Sequence, residues 1–267
     1  MQRVDELAAD VERLAYRERL DTFLASRDAG KSLTYDALRA GITLHTVATS
    51  ARRTAEYTDE ALAIIHEEYK PSLHCRSGCS YCCCKPNVLA SIPELISIVS
   101  FVEETFTAEA RRDLEARTRR YRAQMQGRRV EDPTDESVPC PLLVDGRCSV
   151  YEVRPLICRG YNSTNVEACR RAHDDASVLV PTFALLKDAA AGATVGATQQ
   201  LTAAGINDAM VDLGTALNLV FDAGDQSLER IIRGQSDLGP AENRAWAGEL
   251  WADVCRIAET VGVAITP

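Results

Sequence analysis

Apolar residues recur at three- and four-residue steps over much of this chain, the spacing of one buried helix face. Val4, Leu7, Val11 and Leu14 form the first such stripe, within a helical region covering residues 1–70. Asp28-Ala29-Gly30 reads as a helix stop, with Ser32 or Thr34 able to cap a second helix. Leu62, Ile65 and Tyr69 then carry an apolar stripe up to Pro71, which breaks it. Pro93 and Glu94 can open another helix, because proline suits the first turn and an acid favours that end. Its buried side would be Leu95, Ile98, Val99 and Val102. Residues 107–126 read as a charged helix capped by Thr107, with Arg111, Glu115, Arg119 and Arg122 outward. GRRVEDPTDESVP follows as a polar linker. Val178 to Leu186 is short, apolar and interrupted by Pro181, so it reads as ordinary core. Beyond Pro181 the chain is alanine-rich, with Ile206, Met210, Leu213, Leu217 and Val220 on one helical stripe and Trp246, Leu250, Val254 and Ile257 on another. Residues 72–92 lack periodicity and should be irregular. The expected fold is mainly α: a helical shell around a loop-rich core with little β. It divides into N-terminal helices (1–70), a central region (71–175) and C-terminal helices (176–267) forming one compact unit.

The irregular centre holds the candidate chemistry. Nine of the ten cysteines lie there in two clusters: Cys75, Cys79, Cys82, Cys83 and Cys84, then Cys140, Cys148, Cys158 and Cys169. Cys255 stands apart among apolar helix positions and reads as an inert buried thiol. With 46% hydrophobic residues in a 267-residue chain, a core can form without disulfide staples. The N-terminus lacks the apolar stretch of a signal peptide, and no window approaches a membrane span. A cytoplasmic location is therefore expected, where clustered thiols mean metal or redox chemistry rather than structural disulfides. The net charge of −9 argues against nucleic-acid binding, and no membrane partner is expected.

Cys75-x3-Cys79-x2-Cys82 places three thiols in one loop, and Gly78 lets the backbone curl there. Neighbouring side chains point apart, so Cys82-Cys83-Cys84 suits a polynuclear site or two sites sharing a loop. In the second cluster, Asp145-Gly146 is a hairpin signal that folds Cys140 back toward Cys148. His173 lies four residues after Cys169, on the same helical face. All-sulfur sites suit zinc or iron–sulfur clusters. The irregular spacing departs from the paired C-x2-C of a zinc ribbon and favours iron or an iron–sulfur cluster, with zinc as the alternative. Arg147, Arg154 and Arg159 can compensate the negative charge of bound thiolates.

These strings resemble the bacterial CxxCxxCC cysteine-cluster family, described as a zinc- or iron-chelating domain. The matching positions are Cys75, Cys79, Cys82 and Cys83, then Cys140, Cys148, Tyr151, Arg154, Pro155, Cys158 and Arg159, with Cys169 and Glu94 at further family positions. The resemblance covers residues 72–172 and implies metal ligation by Cys75, Cys79, Cys82, Cys83, Cys140, Cys148, Cys158 and Cys169. Two features depart from it: the x3 spacing after Cys75, and Cys84, which is extra. Cys84 and His173 stand as weaker ligand candidates.

Three functions follow. The first is an iron-dependent oxidoreductase or transferase acting on a small molecule or protein, with Arg154, Arg159, Tyr151 and Tyr161 lining its pocket. The second is a zinc-stabilised protein-binding module, in which those four residues are architectural. The third is a metal storage or delivery protein using the surplus thiols. Cx3Cx2C is also the spacing of radical S-adenosylmethionine enzymes, but the succession of strands their barrel needs is missing after Cys82. His74 reads as a solvated loop residue, and His45 and His66 as helix residues. Arg111, Arg112, Arg117, Arg119, Arg120, Arg122, Arg128 and Arg129, interleaved with acids, read as a solvated helix face.

Overall fold

A computed structural model describes residues 2–85, 87–128, 137–224, 227–235, 238–243 and 245–265, with side chains from Ala15 onward except Pro240. The side chains of the Val4, Leu7, Val11 and Leu14 stripe lie outside the described part, as does most of the predicted linker (129–136). The chain is 66% helix and 5% strand, a mainly α fold as expected. In chain order the elements are α1 (Gln2–Leu38), α2 (Leu44–Tyr69), β1 (Leu89–Ser91), α3 (Ile92–Thr105) and α4 (Ala108–Met125). Then come β2 (Leu143–Val144), β3 (Arg147–Cys148), α5 (Leu156–Gly160), α6 (Val166–Asp174) and α7 (Ala184–Ala203). The chain closes with β4 (Met210–Asp212), α8 (Leu213–Ala223), α9 (Ser227–Ile232), β5 (Glu242–Asn243) and α10 (Trp246–Thr260).

Helix α1 runs straight through Asp28-Ala29-Gly30, where a stop was expected. The reason is tertiary. A Cβ on Gly30 would stand 2.3 Å from the Ala193 carbonyl oxygen, and one on Gly196 only 1.9 Å from that of Arg27. The glycines are the contact surface on which α1 and α7 cross, not breakers. Helix α2 closes the trio, and its buried Ser50, Thr54 and Thr58 hydroxyls satisfy themselves on carbonyls of the preceding turn. The chain breaks instead at Gly41 (φ 126°), after which Thr43 and Thr46 form a capping box for α2.

The main apolar core surrounds α3 and α8. Ile92, Leu95, Ile96, Ile98 and Val102 are fully buried, each contributing about 1.5–3 kcal/mol relative to exposure. The expected Thr107 cap on α4 is present, its hydroxyl accepting from Ala110 N. Met210 does not extend the α8 stripe as predicted. It belongs to β4, the central strand of an antiparallel sheet ordered β1-β4-β5. Three-residue strands are too short to show alternation, and apolar runs of that length fit either period. Two smaller differences stand out. Leu179 is 90% exposed rather than core, and Val138, in the supposed polar linker, is buried against Tyr121 and Met125. No helix among the described residues is long and apolar enough to cross a membrane.

Candidate metal centre

Two cysteine segments are stitched together by backbone hydrogen bonds. His74 N donates to Ser163 O (2.8 Å), and its Nδ1 accepts from Val166 N (3.2 Å), which pins Cys75 at the start of α6. Cys82–Cys84 form one 3₁₀ turn. Successive side chains in such a turn point about 120° apart, so three adjacent thiols can face three directions. The Cys82 and Cys83 sulfurs nonetheless stay 4.0 Å apart. The carbonyls of this turn receive the second segment: Cys140 N donates to Cys83 O (2.8 Å), and Val138 N to Cys84 O (3.1 Å). The β2–β3 hairpin forms as predicted, with Asp145 (φ 49°) and Gly146 (φ 73°) in its turn and Cys148 opposite Leu143. Its tip reaches the first cysteine loop, where a Cβ on Gly146 would lie 3.6 Å from Gly78 O.

The thiols sort into two groups by the charges they feel. Burial raises the Cys75 thiol above its ordinary pKa, and the neighbouring Cys79, Cys82 and Cys169 raise it further. Burial also raises Cys140, which feels Cys158 and Cys148. Cys158 is pushed up to about 12 by burial and then by Cys148 and Cys82, with Arg154 opposing. Cys82 is therefore sensed by both groups. The hydrogen bond to Cys83, then burial, raises Cys82 itself. Without a cation, these sites favour neutral thiols; a metal ion would reverse that balance.

Side chains around the second segment hold the frame. Glu94 is buried; its Oε2 accepts from Ser91 N (2.6 Å) and Ser91 Oγ (2.8 Å), closing the α3 capping box. Its Oε1 accepts from Leu156 N (2.6 Å), fixing α5 two residues before Cys158. Arg159 is buried and turned inward. It donates to Asp59 on α2, to Glu152 O, and to Arg154 O (3.0 Å). Arg154 stacks on the Tyr151 ring at 3.8 Å, donates to Tyr151 O, and lowers the Cys148 thiol against the effect of burial. Tyr161 lies by the first group, its hydroxyl raised by burial and then by Cys82, Cys169 and Cys75. Tyr151 is exposed.

Among the described residues, no three or more His, Cys, Asp or Glu side chains close into a ready-made metal site. The chemistry of the surroundings fits such a group all the same. Two buried nitrogens beside the cysteine turn lack a hydrogen-bond partner: Lys85 Nζ and His173 Nδ1. His173 lies one helical turn beyond Cys169, its ring 6.1 Å from that of Tyr81. Lys85 Nζ can balance thiolate charge, and His173 Nδ1 can ligate. The residues that could hold a metal are the two thiol groups with Cys83, and Cys84 and His173 lie next to them. Cys84 senses Cys82 and is bonded to Ser80. Cys255 is half-buried on α10, in a different part of the fold. Arg147 is exposed on β3, His45 and His66 are exposed on α2, and His74 is exposed with its ring nitrogen engaged at α6.

Sequence reasoning missed Lys85, which carries no motif, and Asp59, which lies 100 residues before its partner Arg159. Only burial identifies the first, and only the fold identifies the second. No curated protein and no solved structure matches the chain. One family model does match, over residues 74–176, and its description reads "CxxCxxCC: Putative zinc- or iron-chelating domain". The matched segment carries both thiol groups, the β2–β3 hairpin and α5.

Proposed function

We propose that the two thiol groups hold iron, as bound ions or an iron–sulfur cluster, and that the protein uses this centre for redox or group-transfer chemistry in a reducing compartment such as the cytoplasm. The observation that carries the reading is the 3₁₀ turn Cys82–Cys84: its Cys82 and Cys83 sulfurs lie 4.0 Å apart, and its carbonyls take the N–H groups of Cys140 and Val138, so both cysteine segments meet at Cys82 and Cys83. A single four-thiolate zinc site needs no such shared residue. Cys75 and Cys82 are exposed residues, so the centre lies close to the surface, where electrons or a substrate can approach it. Lys85 and Arg154 would offset the anionic centre.

One observation favours a zinc-stabilised module instead. Arg159, a candidate for orienting a substrate, has its guanidinium committed to Asp59 and two backbone carbonyls. That is how a residue acts when it builds a frame.

Anaerobic purification separates the readings. Brown protein containing iron, with broad visible absorption, supports the first. Colourless protein retaining tightly bound zinc overturns it in favour of the second. Exchangeable metal in excess of fixed sites would instead indicate storage or delivery. Cys82→Ser should lower metal content more than Cys84→Ser, and equal losses would remove the shared role of Cys82.

A further inference from the structure

A cleft of about 470 Å³ opens between the end of α4 and the start of α8. Arg119, Arg122 and Arg128 line it from one side, Thr215 and Asn218 from the other, with Met125 between. Arg119 and Arg122 are three residues apart on α4 and so share a face. Arg122 is held in place: its Nη1 donates to Asn218 Oδ1 (3.0 Å) and lies 3.5 Å from Asp222. Asn218 is only 2% exposed, and its Nδ2 meets no acceptor. A buried amide donor left unsatisfied is destabilising, so the position favours an added acceptor. Asp212 is the acid of the cleft lining, and it is 1% exposed and already engaged. It accepts from Tyr121 Oη (2.7 Å) and Thr215 N (3.0 Å). Among the described lining residues, Arg119 and Arg122 stand beside this one inward carboxylate, with Asp222 at the rim.

We propose that this cleft binds a small molecule carrying an oxyanion, either phosphate or carboxylate, through Arg119, Arg122 and the Asn218 amide. Guanidinium forks suit both groups bidentately, and the volume falls within the range of small-molecule sites. The inference goes beyond the metal centre and holds whether that centre carries iron or zinc. The two sites are neighbours all the same: Met125 and Tyr121 pack on Val138, whose N–H bonds the Cys84 carbonyl. An occupant would sit one layer behind the cysteine turn.

The test is isothermal titration of the full metal-loaded chain with inorganic phosphate, pyrophosphate and citrate, at constant ionic strength against chloride. Saturable binding is expected, with the phosphate and citrate arms identifying the preferred oxyanion. Arg119→Gln removes an exposed side chain and should weaken binding at least tenfold, with helix content and metal content unchanged. Asn218→Asp keeps the acceptor for Arg122 but replaces the orphan donor with a carboxylate oxygen, and should abolish binding. The proposal is overturned if none of the three anions binds beyond the chloride control, or if the folded variants titrate like the parent.

Discussion

Where α1 crosses α7, the backbones touch at glycines, Thr194 and Thr198 satisfy their hydroxyls within α7, and Arg19 pairs with Asp188 at the exposed edge. Around Cys82–Cys84, short loops are joined by a few backbone hydrogen bonds and surround thiols that repel one another once ionised. The helix trio is held by contact, which is present as soon as the chain is packed. The cysteine core is organised for something it must acquire. The contrast teaches where this protein's order comes from: shape in one region, chemistry in the other. Residues such as Glu94 and Arg159 matter because they tie the second region to the first. Arg159 reaches Asp59 on α2, and α5 rides on α7 at Gly160, where a Cβ would stand 2.5 Å from that of Ala190.

Metal removal should expose the difference most strongly. A thiolate-bound ion contributes on the order of 10 kcal/mol to a site that folds around it. Chelation should therefore raise amide exchange in residues 72–85 and 137–176 while α1 and α7 keep their protection. Uniform exchange across both regions would end the contrast. Gly196→Ala probes the other side. Its new methyl meets a carbonyl oxygen rather than a side chain that can yield, so a loss of about 3 kcal/mol is expected in urea denaturation, with metal content per folded molecule unchanged.

Glu94→Ala acts on the joint between the regions. It leaves Ser91 N, Ser91 Oγ and Leu156 N without their acceptor, a loss of about 2–3 kcal/mol. Metal content should fall with it, because the start of the Cys158 helix is released. Full metal content in a destabilised variant would mean that the joint is not needed. Gly146→Ala is milder. A side chain at φ 73° costs about 1 kcal/mol and should slightly loosen the hairpin that carries Cys148.

The smallest effect is a pH dependence at Asp212. Burial raises its pKa above the ordinary carboxylate range, against the hydrogen bonds from Thr215 and Tyr121. A carboxyl raised in the folded state favours folding while protonated. Its contribution is complete below an unfolded value of about 4 and is lost as pH rises through the folded value. The stability of the parent relative to Asp212→Asn should therefore fall with rising pH from about 4 upward. Urea midpoints of both proteins at each pH read this directly, and comparing them cancels the pH dependence of thiolate–metal bonding. A flat difference would place Asp212 in the ordinary range.

Much of the site was legible because it is encoded by local spacing. Asp145-Gly146 formed its hairpin, Pro93 and Glu94 opened α3, and Cys169 and His173 share a face of α6. Glycine at position 30 was misleading for a physical reason: a residue without a Cβ serves equally as a helix breaker and as a helix contact, and only the partner decides which. Met210 was misleading because three residues cannot express a period.

The sequence alone determined that this chain is helical and that its middle is a cysteine-rich segment matching a chelating-domain model, since residue type and spacing act over a few positions along the backbone. Tertiary structure decided which thiols share a neighbourhood, that Arg159 faces inward to Asp59, and that Arg119, Arg122 and Asn218 line one cleft. Those outcomes depend on which distant segments pack together and what they leave unpaired, which no single stretch of sequence carries.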